Sequence, residues 1–261
     1  SSLVKAGLLP ILRKGQLLNS NSWFVITITP GPQPFHKLAD ALLRIAAREP
    51  EDLLTSLTED ETGLSRLVKT ILPTDDSELL LVIDQFEEIF TLLEDAEKRD
   101  HFLKMLYHAV TVPEGALRVV ITLRADYYDR PLLHPTFGDL IREHTEVVLP
   151  LVPSAIEEAI IAPAIRSGLK MEPGLSVRIA DDVGHQPGAL PLLQYALTEL
   201  FEKREDNMLT LAAYEQIGGI SGALARRAEE IYTELGPREQ ELTRQMFLRL
   251  IALGNQNQAT R

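Results

Sequence analysis

The chain has 261 residues, 45% of them apolar and 25% charged, proportions that support a buried core in one or two domains and exclude a disordered or fibrous protein. Its 26 Lys and Arg against 38 Asp and Glu leave a formal net charge of −12, and no Lys/Arg-rich run gathers cations on one face, so nucleic acid is a poor partner. With no cysteine, disulfides, thiolate metal sites and a cysteine nucleophile are excluded, and the composition fits a reducing, cytoplasmic setting.

No apolar run approaches the ~20 residues that cross a bilayer, so no membrane span is expected, and no signal-peptide pattern opens the chain. Leu3, Ala6, Leu8, Leu9, Ile11 and Leu12 recur at helical spacing until Gly15. Ser1 therefore stands inside a helical pattern with no initiator methionine before it, as in a segment cut from something longer.

Residues 23–29 (WFVITIT) read as a strand, stopped by Pro30, Gly31, Pro32 and Pro34. Residues 35–48 and 64–72 follow as helices, and 78–84 (ELLLVID) form a continuously apolar run that ends in a carboxylate. A helix over 99–110, a strand over 117–123 (LRVVITL) and a short fourth strand over 146–149 (EVVL) complete this part. Apolar strands alternating with helices predict an α/β core with a parallel sheet covered on both faces. After Pro150 the periodicity is helical throughout, over 156–165, 175–183, 190–203, 223–235 and 239–253. The expected domains are thus 1–150, an α/β core, and 151–254, an all-helical subdomain, with 255–261 (NQNQATR) a linker or cut end.

Three motifs could carry chemistry. In residues 79–90 (LLLVIDQFEEIF) an apolar strand delivers Asp84 to its carboxyl end, followed by Glu87 and Glu88. That is what a Walker B element needs: an aspartate for the Mg²⁺ shell and a glutamate that orients or deprotonates the attacking water. The same residues also suit a buried strand end followed by glutamates that start a solvated helix, favoured by its dipole. In VVITLRADYYDR, Arg124 ends a strand where ligands of open α/β sheets bind, so it is a candidate sensor of a terminal phosphate; the alternative is an ion pair with Asp126 or Asp129. Residues 186–197 (QPGALPLLQYAL) place Pro191 in the first turn of a helix, which alone indicates only a helix start.

Together with SSLVKAGLLPIL at the start and YEQIGGISGALARRAEEIYTEL near the end, these segments resemble the signal-transducing NTPases with numerous domains (the STAND class), in the bacterial branch often fused to WD-repeat propellers. The resemblance runs from Ser1 to about Leu253. It implies a P-loop NTPase core whose first strand and Walker A loop stand before Ser1 and are missing from this chain. Ser1 then matches the Mg²⁺-binding Ser/Thr that closes the loop, with Ser2 beside it at the nucleotide. Asp84 matches the Walker B aspartate, Glu87 or Glu88 the residue that activates water, Arg124 the arginine of the sensor strand, and Pro191 the proline of a GxP motif near the base. Two departures are visible: the glycine before Pro191 is displaced by one position, in Gly188-Ala189-Leu190, and TPGP at residues 29–32 lacks the arginine expected before Pro-Gly.

The resemblance further implies ATP and Mg²⁺ as cofactors and a switch whose nucleotide state sets domain arrangement and self-association, with other domains of a parent chain as partners. The rival readings are a non-hydrolytic interaction scaffold with a degenerate nucleotide site and, disfavoured by the charge, an ATPase loader on nucleic acid. Histidines 36, 101, 108, 134, 144 and 185 form no HExxH pair, Ser221 lacks a nucleophile-elbow context, and Tyr127 and Tyr128 have no basic stripe beside them. Gly218, Gly219 and Gly222 suit a helix-to-helix turn with positive φ.

Overall fold

A computed structural model of the chain describes every residue except 49, 75, 114, 185–187, 189, 251, 254–258 and 261. The chain forms two compact units, Ser1–Val147 and Val148–Arg261.

The first unit is a mixed α/β layer structure around a three-stranded parallel sheet. Strands β1 (Phe24–Ile28), β2 (Leu79–Ile83) and β3 (Leu117–Ile121) lie in the order β1-β2-β3, with Ile83 level with Ile28 on one side and Ile121 on the other. All five residues of β2 are buried because both its faces are covered. Leu79, Leu81 and Ile83 point into one core. There they meet α2 (Pro34–Leu43), α3 (Leu53–Glu59), α4 (Gly63–Ile71), α6 (Ala96–Thr111) and α8 (Phe137–Glu143). Leu80 and Val82 point the other way, onto Leu9 and Leu12 of α1 (Leu9–Arg13). Each such side chain contributes about 1.5–3 kcal/mol by leaving water, so the central strand is fixed by its own side-chain alternation. Short helices α5 (Glu88–Thr91) and α7 (Asp129–Leu132) follow β2 and β3.

The opening helix is not regular. Leu3–Leu8 take a π-helical spacing in which the Leu9 N–H donates to the Val4 carbonyl. Pro10 has no N–H to offer the Ala6 carbonyl, so the ordinary ladder is interrupted there. The expected strand over 146–149 is not formed. β3 is an edge of the sheet with no described strand beside its outer side, and Val147, Val148 and Leu149 stay 68%, 68% and 73% exposed.

The second unit is built from α9 (Pro153–Arg166), α10 (Leu175–Gly184), α11 (Leu190–Glu202), α12 (Leu211–Gln216), α13 (Gly219–Glu234) and α14 (Pro237–Leu250). Ile156, Ile160, Leu175, Ile179, Leu193, Ala196, Leu200 and Ile220 form its core. It is not all-helical: β4 (Lys170–Met171) pairs in parallel with β5 (Met208–Leu209). Two-residue strands show one side chain per face, too few for any alternation to be visible in sequence. The tail from Asn255 lies outside the described residues apart from Ala259–Thr260, which pair antiparallel with Ala252–Leu253. Gly218 and Gly219 carry φ of 77° and 65° where α12 turns into α13, and a Cβ on Gly218 would sit 3.0 Å from the Gly222 Cα. α14 has no buried residue, and Leu242, Met246, Phe247 and Leu250 are exposed along it. No helix among the described residues is long and apolar enough to cross a membrane.

Candidate functional site

The register of the sheet brings three strand ends level. The Asp84 N–H donates to the Ile28 carbonyl at 2.9 Å and the Thr122 N–H to the Ile83 carbonyl at 3.0 Å, so Asp84 emerges between the residues that follow β1 and β3. In parallel sheets this carboxyl-end edge is where ligands bind.

Asp84 is 2% exposed, and among the described residues it is the one buried charged side chain. A buried carboxylate survives only if its oxygens are satisfied, and these are. Oδ1 accepts from Ser1 Oγ at 2.5 Å and Thr122 Oγ1 at 2.6 Å, while Oδ2 accepts from Lys5 Nζ at 2.5 Å. Ser1 and Lys5 stand four residues apart, joined by the Lys5 N–H to Ser1 carbonyl bond at 2.9 Å, so one helical face presents both to the strand end. Burial alone would raise the Asp84 carboxyl. The hydrogen bonds from Lys5, Ser1 and Thr122, with the Lys5 charge, outweigh burial and hold the group far below the usual carboxylate range. Asp84 therefore favours its ionised form, an acceptor suited to holding a cation.

The chain turns sharply after it. Gln85 has φ +57°, a left-handed conformation that costs a residue with a Cβ about 1–2 kcal/mol. Thr122 braces this turn: its hydroxyl accepts from the Gln85 N–H at 3.2 Å and its carbonyl from the Phe86 N–H at 2.9 Å. Phe86 is fully buried, stacked 5.8 Å from Phe137 and edge-on to Phe90 at 6.0 Å. The two following glutamates separate here. Glu88 accepts from the Gly31 N–H at 2.8 Å, tying α5 to the Pro30-Gly31-Pro32 turn, where Gly31 has φ +61°. That turn, which lacks the expected arginine, thus takes its polar role through its backbone. Glu87 is half-buried and contributes its charge to Arg124.

Arg124 is exposed and paired with Asp126, through Nε at 3.0 Å and Nη2 at 2.7 Å, with its guanidinium 5.9 Å from the Tyr127 ring centroid. This is the ion-pair alternative that the sequence left open. Ser2 precedes the first helical turn, exposed and without a side-chain capping bond. Pro191 is the second residue of α11, exposed, and belongs to the second unit; Ala189 and residues 185–187, His185 among them, lie outside the described residues. His101 and His108 bond to the Leu57 carbonyl at 3.0 Å and Glu61 Oε2 at 3.2 Å. Among the described residues no three His, Asp or Glu side chains cluster to hold a metal.

Sequence reasoning missed Lys5, Thr122, Gln85 and Gly31. Lys5 was findable, because any residue four after a helical Ser1 shares its face. Thr122 needed the register of β2 against β3.

The donor set at Asp84, one ionised carboxylate and two hydroxyls, is all hard oxygen and fits Mg²⁺, which takes few protein ligands and keeps waters and phosphate oxygens for the rest. The first unit is thus a parallel α/β unit whose anchored acid stands at the carboxyl end of the central strand, the place where open α/β sheets bind their ligands. The family described as Novel STAND NTPase 1 matches residues 1–261, the whole chain, and the protein belongs to that family. A comparison with curated proteins finds no match. A solved structure of PCH-2 from C. elegans is similar over 85% of this chain and 66% of that one, at 10% sequence identity and a TM-score of 0.27.

Proposed function

We propose that the chain is the ATP-binding and hydrolysing switch module of a multidomain bacterial signalling protein, with the first unit as a P-loop NTPase core and the second as its helical lid. The observation that carries this reading is the convergence of Ser1, Thr122 and Asp84 at the end of the fully buried strand β2. Ser1 spends its proton on Asp84 and keeps its lone pairs for a cation, as a hydroxyl in a Mg²⁺ shell must. Family membership supports nucleotide-dependent switching. The Walker A loop and first strand that the resemblance sets before Ser1 belong to this proposal. A further strand would also meet two unsatisfied features, the open edge of β3 and the exposed apolar stretch 146–149.

Ser1 and Asp84 would hold Mg²⁺, which when bound supplies positive charge against the phosphate oxygens of ATP. The remaining work falls to the chain's own residues. Thr122 fixes the Asp84 carboxylate and the turn at Gln85, and that turn sets where Glu87 stands. Glu88 is occupied by the Gly31 N–H, so Glu87 is the better candidate to orient and deprotonate water. Arg124 serves as sensor only by exchanging Asp126 for a phosphate, and Ser2 adds a nucleotide contact beside Ser1. Cytoplasmic location, self-association and a WD-repeat propeller as neighbour are part of the same proposal.

Single-turnover hydrolysis tests it, in protein that includes the phosphate loop. Glu87→Gln should retain ATP binding and slow turnover by ~10²-fold or more, with Glu88→Gln affecting it less. If neither variant is slowed, the scaffold reading gains; the observation in its favour is the apolar exposed length of α14.

A further inference from the structure

Among the described residues Oδ2 of Asp84 has a single partner: Ser1 and Thr122 both lie on Oδ1, whereas Oδ2 takes the Lys5 ammonium, at 2.5 Å. The Lys5 side chain is half exposed, so its head group can leave the carboxylate by rotating into solvent without breaking any packed contact of the core. Asp84 itself is buried and ionised, a state that burial tolerates only with a cation in contact. A divalent cation brought to the same carboxylate would sit within a few ångströms of the ammonium, and two cations at that range in a partly buried site repel strongly.

We propose that Lys5 is a built-in counter-cation of Asp84 that a divalent metal must displace. In the metal-free protein Lys5 neutralises the buried carboxylate and keeps the first helical turn docked on the strand end. When metal arrives the ammonium swings out, so metal binding is coupled to the state of the opening helix. The competition weakens metal affinity and makes Lys5 a regulator of the site rather than one of its ligands. This inference rests on the reading of Ser1 and Asp84 as the metal site, and its test separates the two.

The experiment titrates the 261-residue chain with Mn²⁺ alone, followed by the electron paramagnetic resonance of free ion. Asp84→Asn should lose Mn²⁺ binding. Lys5→Met should bind Mn²⁺ about three- to tenfold tighter, a range that allows for the solvent screening of a half-exposed pair. Lys5→Met should also melt at lower temperature than wild type without metal, with the gap closing as Mn²⁺ is added. Unchanged or weaker Mn²⁺ affinity in Lys5→Met, while Asp84→Asn loses binding, overturns the role of Lys5 and leaves the metal site standing. Unchanged binding in Asp84→Asn overturns the site itself. Should Lys5→Met fail to fold, the wild-type chain decides: with its lysines ¹³C-dimethylated, the Lys5 resonance should move to a solvent-exposed shift on saturation with Mg²⁺. A resonance that stays in place contradicts displacement.

Discussion

In the first unit a charge is buried, Asp84 at 2% exposure, and three donors from two separate segments are spent on it. In the second unit a buried polar side chain is neutral: Tyr214, also 2% exposed, gives its hydroxyl to Asp182 at 2.8 Å, and Asp182 keeps partly to solvent and to Arg178. Burial of a neutral hydroxyl costs a few kcal/mol less than burial of an ion, so the helical unit can hold its polar pair for packing alone. The α/β unit carries the more costly group, and carries it at the open end of a sheet with a strained residue, Gln85, next to it. Costly burial beside backbone strain is the reason the proposed chemistry is placed in this unit.

The largest effects should come from the cores that keep the two units distinct. Leu81→Ala in β2 and Ile179→Ala in α10 each remove a fully buried side chain and should each cost about 2–5 kcal/mol. Hydrogen exchange should place the first loss within Ser1–Val147 and the second within Val148–Arg261. An equal loss of protection across both units from either variant would break the comparison.

A smaller effect tests the neutral pair. Tyr214→Phe should cost about 1–2 kcal/mol, because Asp182 loses a buried donor. Burial first, then Asp182, raises the Tyr214 hydroxyl above its ordinary value, so the folded state holds this proton more tightly than the unfolded chain does. Its contribution is complete below pH ~10 and is lost as pH rises toward the folded value. Denaturation from pH 8 to 11 should show that alkaline loss in wild type and less of it in Tyr214→Phe; parallel curves would contradict it. Smallest of all, Gln85→Gly should be neutral or stabilise by up to about 1 kcal/mol, because glycine takes φ +57° without strain. A loss of more than that would show that the Gln85 side chain does more than occupy the turn.

These contrasts also explain what the sequence disclosed. β2 is legible because a strand buried on both faces is an unbroken apolar run, β1 and β3 because their residues are largely β-branched, and Asp84 because a carboxylate ending a run like that of β2 stands out. Residues 146–149 have the same apolar, β-branched character and form no strand, because strand formation needs a neighbour and composition does not report one. β4 and β5 were invisible at two residues each. Within the site, Glu87 and Glu88 are equivalent as letters; only the Gly31 N–H on Glu88 tells them apart. The charges at two neighbouring strand ends point Arg124 toward a phosphate, yet Asp126, two residues on, pairs with it at shorter range. Lys5 and Thr122 depend on helix face and strand register, which become exact only in three dimensions.

The central claim, that Asp84 anchors the metal of a nucleotide switch, is tested most directly by calorimetric titration of ATP with and without Mg²⁺, in protein that carries the phosphate loop. For wild type the account predicts that Mg²⁺ tightens ATP binding at least tenfold, one well-formed charge-assisted contact being about 1.5–3 kcal/mol. For Asp84→Asn it predicts a ratio near one with the metal-free affinity retained. A ratio in Asp84→Asn equal to that of wild type would contradict the account and leave Asp84 a structural acid at the end of a buried strand.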